Sequence, residues 1–267
     1  MFQQSATILY NDQLNSDTYR LGLQLDRPQA YRSVKPGQFV MLRIGNRHDP
    51  LLRRPFSVHR PIAAAERITG IEILYKVVGR GTALLAAARP EQRHDLLGPL
   101  GSAFLLPANA RRVFIVAGGI GVAPMVFLAE HLVQRGIDPR YCSVYLGGRS
   151  ADDLLCTELF EKLRMPVYRT TDDGSSGDQC LVTHPVELAV AKQRPDVLFA
   201  CGPLEMLSCV VGIAEKHRIA CQLSIESMMA CGIGACLGCA VESRQMPDRF
   251  LHTCLDGPVF DVTEIVI

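Results

Sequence analysis

Between Val113 and Cys221 short apolar runs alternate with amphipathic ones, and this alternation constrains the fold more than any other feature. "RRVFIVAGG" is a continuous apolar run ending in glycines, and "VAPMVFLAEHLVQRG" follows with helical periodicity and stops at Gly136. "YCSVYLGG" and "ADDLLCTELFEKLR" repeat the pair, and "PVYRTT", "PVELAVAKQ", "DVLFACG" and "PLEMLSCVVGIAEKH" continue it. A strand without a polar face must be covered on both sides, and strands separated by helices run parallel. Residues 107–221 are therefore expected to form a Rossmann-like parallel α/β domain.

The residues before it, 1–106, read as β. In "TYRLGLQL" Tyr19, Leu21, Leu23 and Leu25 alternate with other residues, the period of a half-buried strand. "QFVMLRI", "RPFSVHR" and "IEILYKVV" are further strand candidates, separated by the turn-rich "RPQAYRSVKPG", "GNRHDP" and "PIAAAERITG". Several short strands with few helices predict a small barrel. One short helix is expected at 82–88, with Thr82 as its N-cap after Gly81.

The last segment, 222–267, is rich in Gly and Cys. Four of the ten cysteines, Cys231, Cys236, Cys239 and Cys254, are spaced C-x4-C-x2-C-x14-C. A [2Fe–2S] cluster needs four thiolates around two irons, and its plant-type spacing is C-x4-C-x2-C with a distant fourth. The residues between the first three are Gly, Ala, Ile and Leu, which lets backbone N–H groups approach the sulfurs and permits positive φ. Zinc also takes four cysteines, although its ligands usually form two well-separated close pairs. The other six cysteines are scattered through apolar stretches, where a buried thiol acts as a small hydrophobe.

Three further motifs carry chemistry. "VAGGIGVAP" is a strand, a glycine turn and a helix start, the arrangement that holds a pyrophosphate. Gly118, Gly119 and Gly121 supply the turn, but Pro124 stands where G-x-G-x-x-G places its third glycine, so a turn serving only chain reversal fits as well. "FACGPLEM" ends a strand in Cys201, Gly202 and Pro203, where ligands bind in open α/β sheets. Cys201 could lie near a nicotinamide there; otherwise it is a buried thiol. "RRPFSVHR" alone reads as an ordinary strand with an outward arginine. It gains meaning from "LYKVVGRGT", where Gly79, Gly81 and Thr82 open a helix whose free N–H groups suit an anion. No Ser–His–Asp or paired-carboxylate constellation is found, so no residue is assigned as acid, base or nucleophile.

Taken together these elements resemble the ferredoxin–NADP reductase superfamily, which joins a flavin-binding barrel to a pyridine-nucleotide domain. Within it the chain is similar to the iron–sulfur electron-transfer subunits of class B dihydroorotate dehydrogenases. The resemblance covers essentially the whole chain, and its most specific pieces are "ESMMACGIGACLGCAV", "HTCLDGPVF" and "TDDGSSG". It implies FAD contacts at Arg54, Pro55, Phe56 and Ser57, then Leu74, Tyr75 and Lys76, then Gly81 and Thr82. It implies cluster ligation by Cys231, Cys236, Cys239 and Cys254, and NADH as the electron donor. It also implies a partner, an FMN-containing barrel subunit that oxidises dihydroorotate to orotate, with two copies of each subunit. "PIAAAERITG" is longer than the family pattern.

The expectation is a redox wire running from NADH through FAD and a [2Fe–2S] cluster to the partner. Related diaphorase subunits of sulfide dehydrogenase, bifurcating transhydrogenase or hydrogenase complexes remain an alternative, as does a zinc-bearing nucleotide-binding module with no redox role. Composition narrows the rest. Lys plus Arg number 28 against 27 Asp plus Glu, so no basic excess advertises nucleic acid. "MFQQSATILYNDQ" lacks the basic and apolar regions of a signal peptide, and no apolar run is long enough for a membrane span. A cytoplasmic protein is expected.

Overall fold

The computed structural model describes residues 2–45 and 49–267. Its first half is a seven-stranded antiparallel sheet. The strands are β1 (Phe2–Gln13), β2 (Thr18–Leu25), β3 (Phe39–Arg43), β4 (Arg54–Ser57), β5 (Arg60–Ala64), β6 (Arg67–Lys76) and, after the helix α1 (Arg80–Ala86), β7 (Arg93–Leu100). Their order is β4-β3-β7-β1-β2-β6-β5. The sheet curls into a half-barrel around Leu21, Leu23, Val40, Leu42, Ile71 and Ile73, the alternating inward residues of its strands.

Two expectations are corrected here. "PIAAAERITG" is no loop: Arg60–Ala64 pairs with Arg67–Lys76 as a hairpin. The helix begins at Arg80, not after Thr82. Gly79 is its N-cap, and Thr82 sits inside the first turn, where its Oγ1 accepts from the Val78 N–H (2.9 Å) and the Gly79 N–H (3.2 Å).

The second half alternates as expected: β8 (Val113–Gly118), α2 (Ala123–Gln134), β9 (Cys142–Gly148), α3 (Thr157–Lys162), β10 (Val167–Thr171), α4 (Thr183–Lys192), β11 (Val197–Cys201), α5 (Leu204–His217) and β12 (Ala220–Ser224). The sheet order is β10-β9-β8-β11-β12 with β8, the fully buried VFIVAG, at its centre. One face packs on α2 and α3, the other on α4 and α5. "ADDLLCTELFEKLR" is α-helical only from Thr157: Ala151–Asp153 forms a 3-10 turn, and Cys156 interrupts with a left-handed φ of 62°.

A third module carries β13 (Ala240–Glu242), β14 (Phe250–His252) and β15 (Val259–Asp261). β15 returns to the nucleotide half and adds an antiparallel edge beside β12. The expected boundary at 221/222 thus falls inside β12, a strand of the parallel sheet.

The halves are tied face to face. Arg60 pairs with Glu130 at 2.9 Å, the buried His59 donates from Nδ1 to the Ala123 carbonyl at 2.7 Å, and Asn15 donates to the Asp152 carbonyl at 2.7 Å. No helix among the described residues is long and apolar enough to cross a membrane.

Candidate functional site

Chain order reverses at β8: the strands run outward to β10, then return to the other side at β11. Crevices open at such switch points, beyond the carboxyl ends of the strands. Gly118, Gly119 and Gly121 leave β8 there, facing Cys201, Gly202 and Pro203 at the end of β11. The approach is close: a Cβ on Gly121 would lie 2.3 Å from the Cys201 carbonyl oxygen, and one on Gly118 would lie 2.8 Å from Pro203 Cδ.

A cavity of about 540 Å³ fills this crevice, lined by Gly118, Gly119, Gly121, Gly202 and Pro203. Gly147, Gly148, Arg149, Asp153, Thr170 and Asp172 form its far end. The "TDDGSSG" segment folds against that end, with the Asp172 N–H donating to the Gly148 carbonyl and the Asp173 N–H to that of Arg149. Thr170 Oγ1 is buried without a hydrogen-bond partner among the described residues. That orphaned hydroxyl and the glycine walls suit an elongated polar ligand such as a dinucleotide.

A second cavity, of about 400 Å³, adjoins the first. Arg54, Pro55, Phe56 and Ser57 from β4, Leu74, Tyr75 and Lys76 from β6, and Gly81 and Thr82 from α1 all line it. Cys201 lies in this cavity, not in the glycine crevice, and Met229 and Pro258 of the third module close one side. The Arg54 guanidinium lies so near Gly81 that a Cβ there would be 3.2 Å from Nε. Arg54 donates to the Leu52 carbonyl at 2.7 Å and has no carboxylate partner among the described residues. Ser227 Oγ, also on this wall, is buried and has no hydrogen-bond partner among the described residues. A free guanidinium over a glycine helix start, an orphaned hydroxyl and an aromatic wall fit a flavin dinucleotide.

Lys76, Ile120 and Glu226 line both cavities. Burial works against the Lys76 ammonium, but Asp17 (3.1 Å) and Asp153 (3.3 Å) outweigh it and hold its pKa above the usual lysine value. Burial, with a smaller contribution from Glu226, pushes the Cys201 thiol up to about 12, so it stays protonated and is no nucleophile. Sequence reasoning missed Glu226, Ser227 and Thr170, which no spacing marks. Of the six scattered cysteines, Cys142, Cys201 and Cys221 are buried, Cys156 and Cys180 partly so, and Cys209 is exposed on the crevice wall.

The cysteine loop sits on the half-barrel. Cys239 and Cys254 are buried with Phe39, Met41, Leu97 and Leu100, and Met229 packs on the same cluster. Their sulfurs stand 3.3 Å apart. Cys231 and Cys236, nearer the surface, form a second pair, and the Cys236 and Ile233 N–H groups point at Cys231 Sγ, each at 3.4 Å. Gly234 donates to Cys254 Sγ at 3.2 Å. Gly232 and Gly234 have φ of +71° and +76°, which the loop needs to turn these amides inward. Among the described residues no three of His, Cys, Asp and Glu converge as a single-ion cage. Two thiol pairs served by backbone donors fit a two-iron cluster, which these four cysteines would hold.

Comparison with known proteins agrees with this arrangement. Residues 226–266 match the iron-sulfur cluster binding domain of dihydroorotate dehydrogenase B, and residues 115–212 match the oxidoreductase NAD-binding domain. A dihydroorotate dehydrogenase B (NAD(+)) electron transfer subunit from Desulforamulus reducens is 36% identical over 91% of each chain. One from Geobacillus sp. is 35% identical over 100% of both. The chain belongs to the dihydroorotate dehydrogenase B electron transfer subunit family. In fold, this family member superposes with a TM-score of 0.83 on an NADH-dependent reduced ferredoxin–NADP oxidoreductase studied for flavin-based electron bifurcation, at 25% identity over 98% of this chain and 89% of that one. A ferredoxin NADP+ reductase from Neisseria gonorrhoeae with bound FAD and NADP shares the fold at a TM-score of 0.67 and 18% identity, over 80% of this chain and 91% of its own.

Proposed function

We propose that this chain oxidises NADH and passes the electrons to an FMN-containing catalytic subunit that converts dihydroorotate to orotate, a step of pyrimidine biosynthesis. One observation carries this reading: the two cavities share a wall, and Met229 and Pro258, which flank the cysteine segment, close one side of the second. Hydride donor, two-electron carrier and one-electron carrier would thus follow one another in a single cleft. FAD would accept a hydride and release electrons singly to the [2Fe–2S] cluster; the protein supplies distance and orientation.

In this reading residues 1–106 hold FAD, 107–221 hold NADH and 222–267 hold the cluster. Arg54 neutralises the FAD pyrophosphate beside Gly81 and Thr82. Pro55, Phe56 and Ser57 with Leu74 and Tyr75 form the walls against which the flavin lies, and Lys76 closes the boundary with the nucleotide. Gly118, Gly119 and Gly121 let the NADH pyrophosphate approach the β8 turn. Cys201, Gly202 and Pro203 leave room for the nicotinamide end beside the flavin cavity. Cys231, Cys236, Cys239 and Cys254 ligate the cluster. The assembly holds two copies of each subunit. A cytoplasmic setting accords with the six scattered cysteines standing as free thiols, since thiols persist where the medium is reducing.

NADH is the donor in preference to NADPH. Arg149, the cation nearest the expected ribose, is tied to Asp153 at 3.4 Å, and Asp153 and Asp172 oppose a 2′-phosphate. The test is steady-state kinetics of the chain co-expressed with an FMN-containing dihydroorotate dehydrogenase. NADH-dependent reduction of the partner's FMN is expected, with kcat/KM for NADH at least about tenfold that for NADPH, a difference of ~1.4 kcal/mol. A preference for NADPH, or no electron delivery to the FMN, would refute the reading. The fold likeness to the bifurcating oxidoreductase favours a second reading, a diaphorase subunit of another redox complex. Pull-down from the native host separates the two by the partner it recovers.

A further inference from the structure

His59 follows β4 by two residues, and its side chain crosses to the other half of the molecule. Its Nδ1 donates to the Ala123 carbonyl at 2.7 Å, and the residue is only 1% exposed. Burial lowers the pKa of the imidazole, so the ring is neutral; a carbonyl can only accept, so Nδ1 carries the proton. The backbone of His59 is fixed as well, its N–H donating to the Glu72 carbonyl at 2.9 Å.

Ala123 is the first residue of α2, two places beyond Gly121 of the glycine turn. It lines the flavin cavity beside Ile120, which lines both cavities. Two further residues on that face of α2 dock on the half-barrel: Phe127 is buried in its core, and Glu130 pairs with Arg60 at 2.9 Å. The helix that opens at the glycine crevice is thus seated on the segment that leaves β4, the strand of Arg54–Ser57. The tie elsewhere between the halves, from Asn15 to the Asp152 carbonyl, is exposed, so water competes for it. Packing alone gives no reason for an imidazole at position 59, since an apolar side chain would fill the space without the cost of burying a polar group. What the imidazole adds is direction: a hydrogen bond fixes a distance and an angle, whereas apolar contact fixes neither.

The proposed function, on which this inference rests, needs that precision. The step breaks a C–H bond of NADH and moves both its electrons with the hydrogen to FAD, leaving NAD+ and reduced FAD, and it needs no other reactant. It proceeds only when the reacting atoms lie about 3–3.5 Å apart, and a misplacement of ~1 Å can slow such a step about a hundredfold. In that reading the two partners are held by different halves of the chain, so their separation depends on how the halves sit. We propose that His59 is a positioning residue for hydride transfer: its hold on the Ala123 carbonyl fixes the first turn of α2, and with it the nucleotide, against the flavin cavity. His59 itself lines neither cavity.

The test uses the protein loaded with FAD and cluster, as wild type, His59→Leu, which has no donor, and His59→Asn, whose amide can reach the same carbonyl. In stopped flow His59→Leu should bind NADH within about threefold of the wild-type Kd, while the limiting rate of flavin bleaching falls at least about tenfold. The long-wavelength charge-transfer band of NADH against FAD should weaken. Without NADH, amide hydrogen exchange in the first turn of α2 should quicken. His59→Asn should recover all three readouts, and His59→Gln, whose longer side chain carries the amide past the carbonyl, should not. If His59→Leu sheds FAD, the comparison of His59→Asn with His59→Gln decides. A wild-type limiting rate in His59→Leu, a weakened Kd that accounts for its whole defect, or a His59→Asn no faster than His59→Gln overturns the inference. Loss of FAD from all three variants overturns it too, since His59 would then be a prop of the fold. The proposed function survives each of these results; wild-type flavin that NADH does not bleach overturns both.

Discussion

At the scale of single residues, the glycine crevice depends on missing atoms. Gly121 faces the Cys201 carbonyl so closely that a Cβ would intrude to 2.3 Å, against backbone fixed in the parallel ladder with β8. Gly121→Ala should cost ~1–3 kcal/mol of stability and weaken NADH binding, since the two strand ends must part. Calorimetric melting and NADH titration would check this, and an unchanged melting temperature with unchanged affinity would refute it. The place of Gly121 in a turn at the end of β8 was legible in the sequence, because "VAGGIGVAP" sets its glycines between an apolar run and a helix start. Glu226 was not. Its place depends on two cavities built by Lys76, Ile120 and Cys201, residues far apart in the chain that only the folded topology assembles.

At the scale of elements, the parallel sheet was easy to read because its central strands β8 and β11 are apolar throughout and its helices are periodic. The β5–β6 hairpin was hidden for an identifiable reason. Its two turn residues, Ala65 and Glu66, have φ of 48° and 63°. That is the type I′ geometry that Asn-Gly favours, and Ala-Glu gives no such signal. Replacing both, Ala65→Asn with Glu66→Gly, should relieve the strain and stabilise the half-barrel by ~1 kcal/mol, read as a higher midpoint in urea. A lower midpoint would show that the strain is not stored there. The cysteine loop raises a question of partners. Met228, Ile233 and Leu237 are 91%, 40% and 60% exposed beside the cysteines, while Met229 packs inward. An apolar patch around an electron exit is expected to be covered by the acceptor. Leu237→Glu should leave FAD bound and weaken assembly with the catalytic subunit by at least about tenfold in Kd. Normal assembly of that variant would place the interface elsewhere.

At the scale of the whole molecule, the chain is a wire whose halves can be cut apart. The thiol pairs differ in setting: Cys239 and Cys254 are buried against the half-barrel, whereas Cys236 is exposed. The cavity residues from Arg54 to Thr82 and from Gly118 to Pro203 lie on other segments. Cys236→Ser removes one thiolate from the outer pair, and an alcohol is a far poorer ligand to iron. The cluster should be lost or severely perturbed, while the buried core under Cys239 and Cys254 remains packed. FAD should stay bound, NADH should still bleach it in stopped flow, and a small dye able to reach the flavin should still be reduced. Delivery of electrons to the partner's FMN should collapse. Partner reduction at the normal rate would take the cluster off the path. Loss of FAD together with the cluster would mean that the third module holds the flavin cavity shut, a result made conceivable by Met229 and Pro258 on its wall. Retained flavin chemistry with failed delivery would locate the only break between the second cavity and the surface.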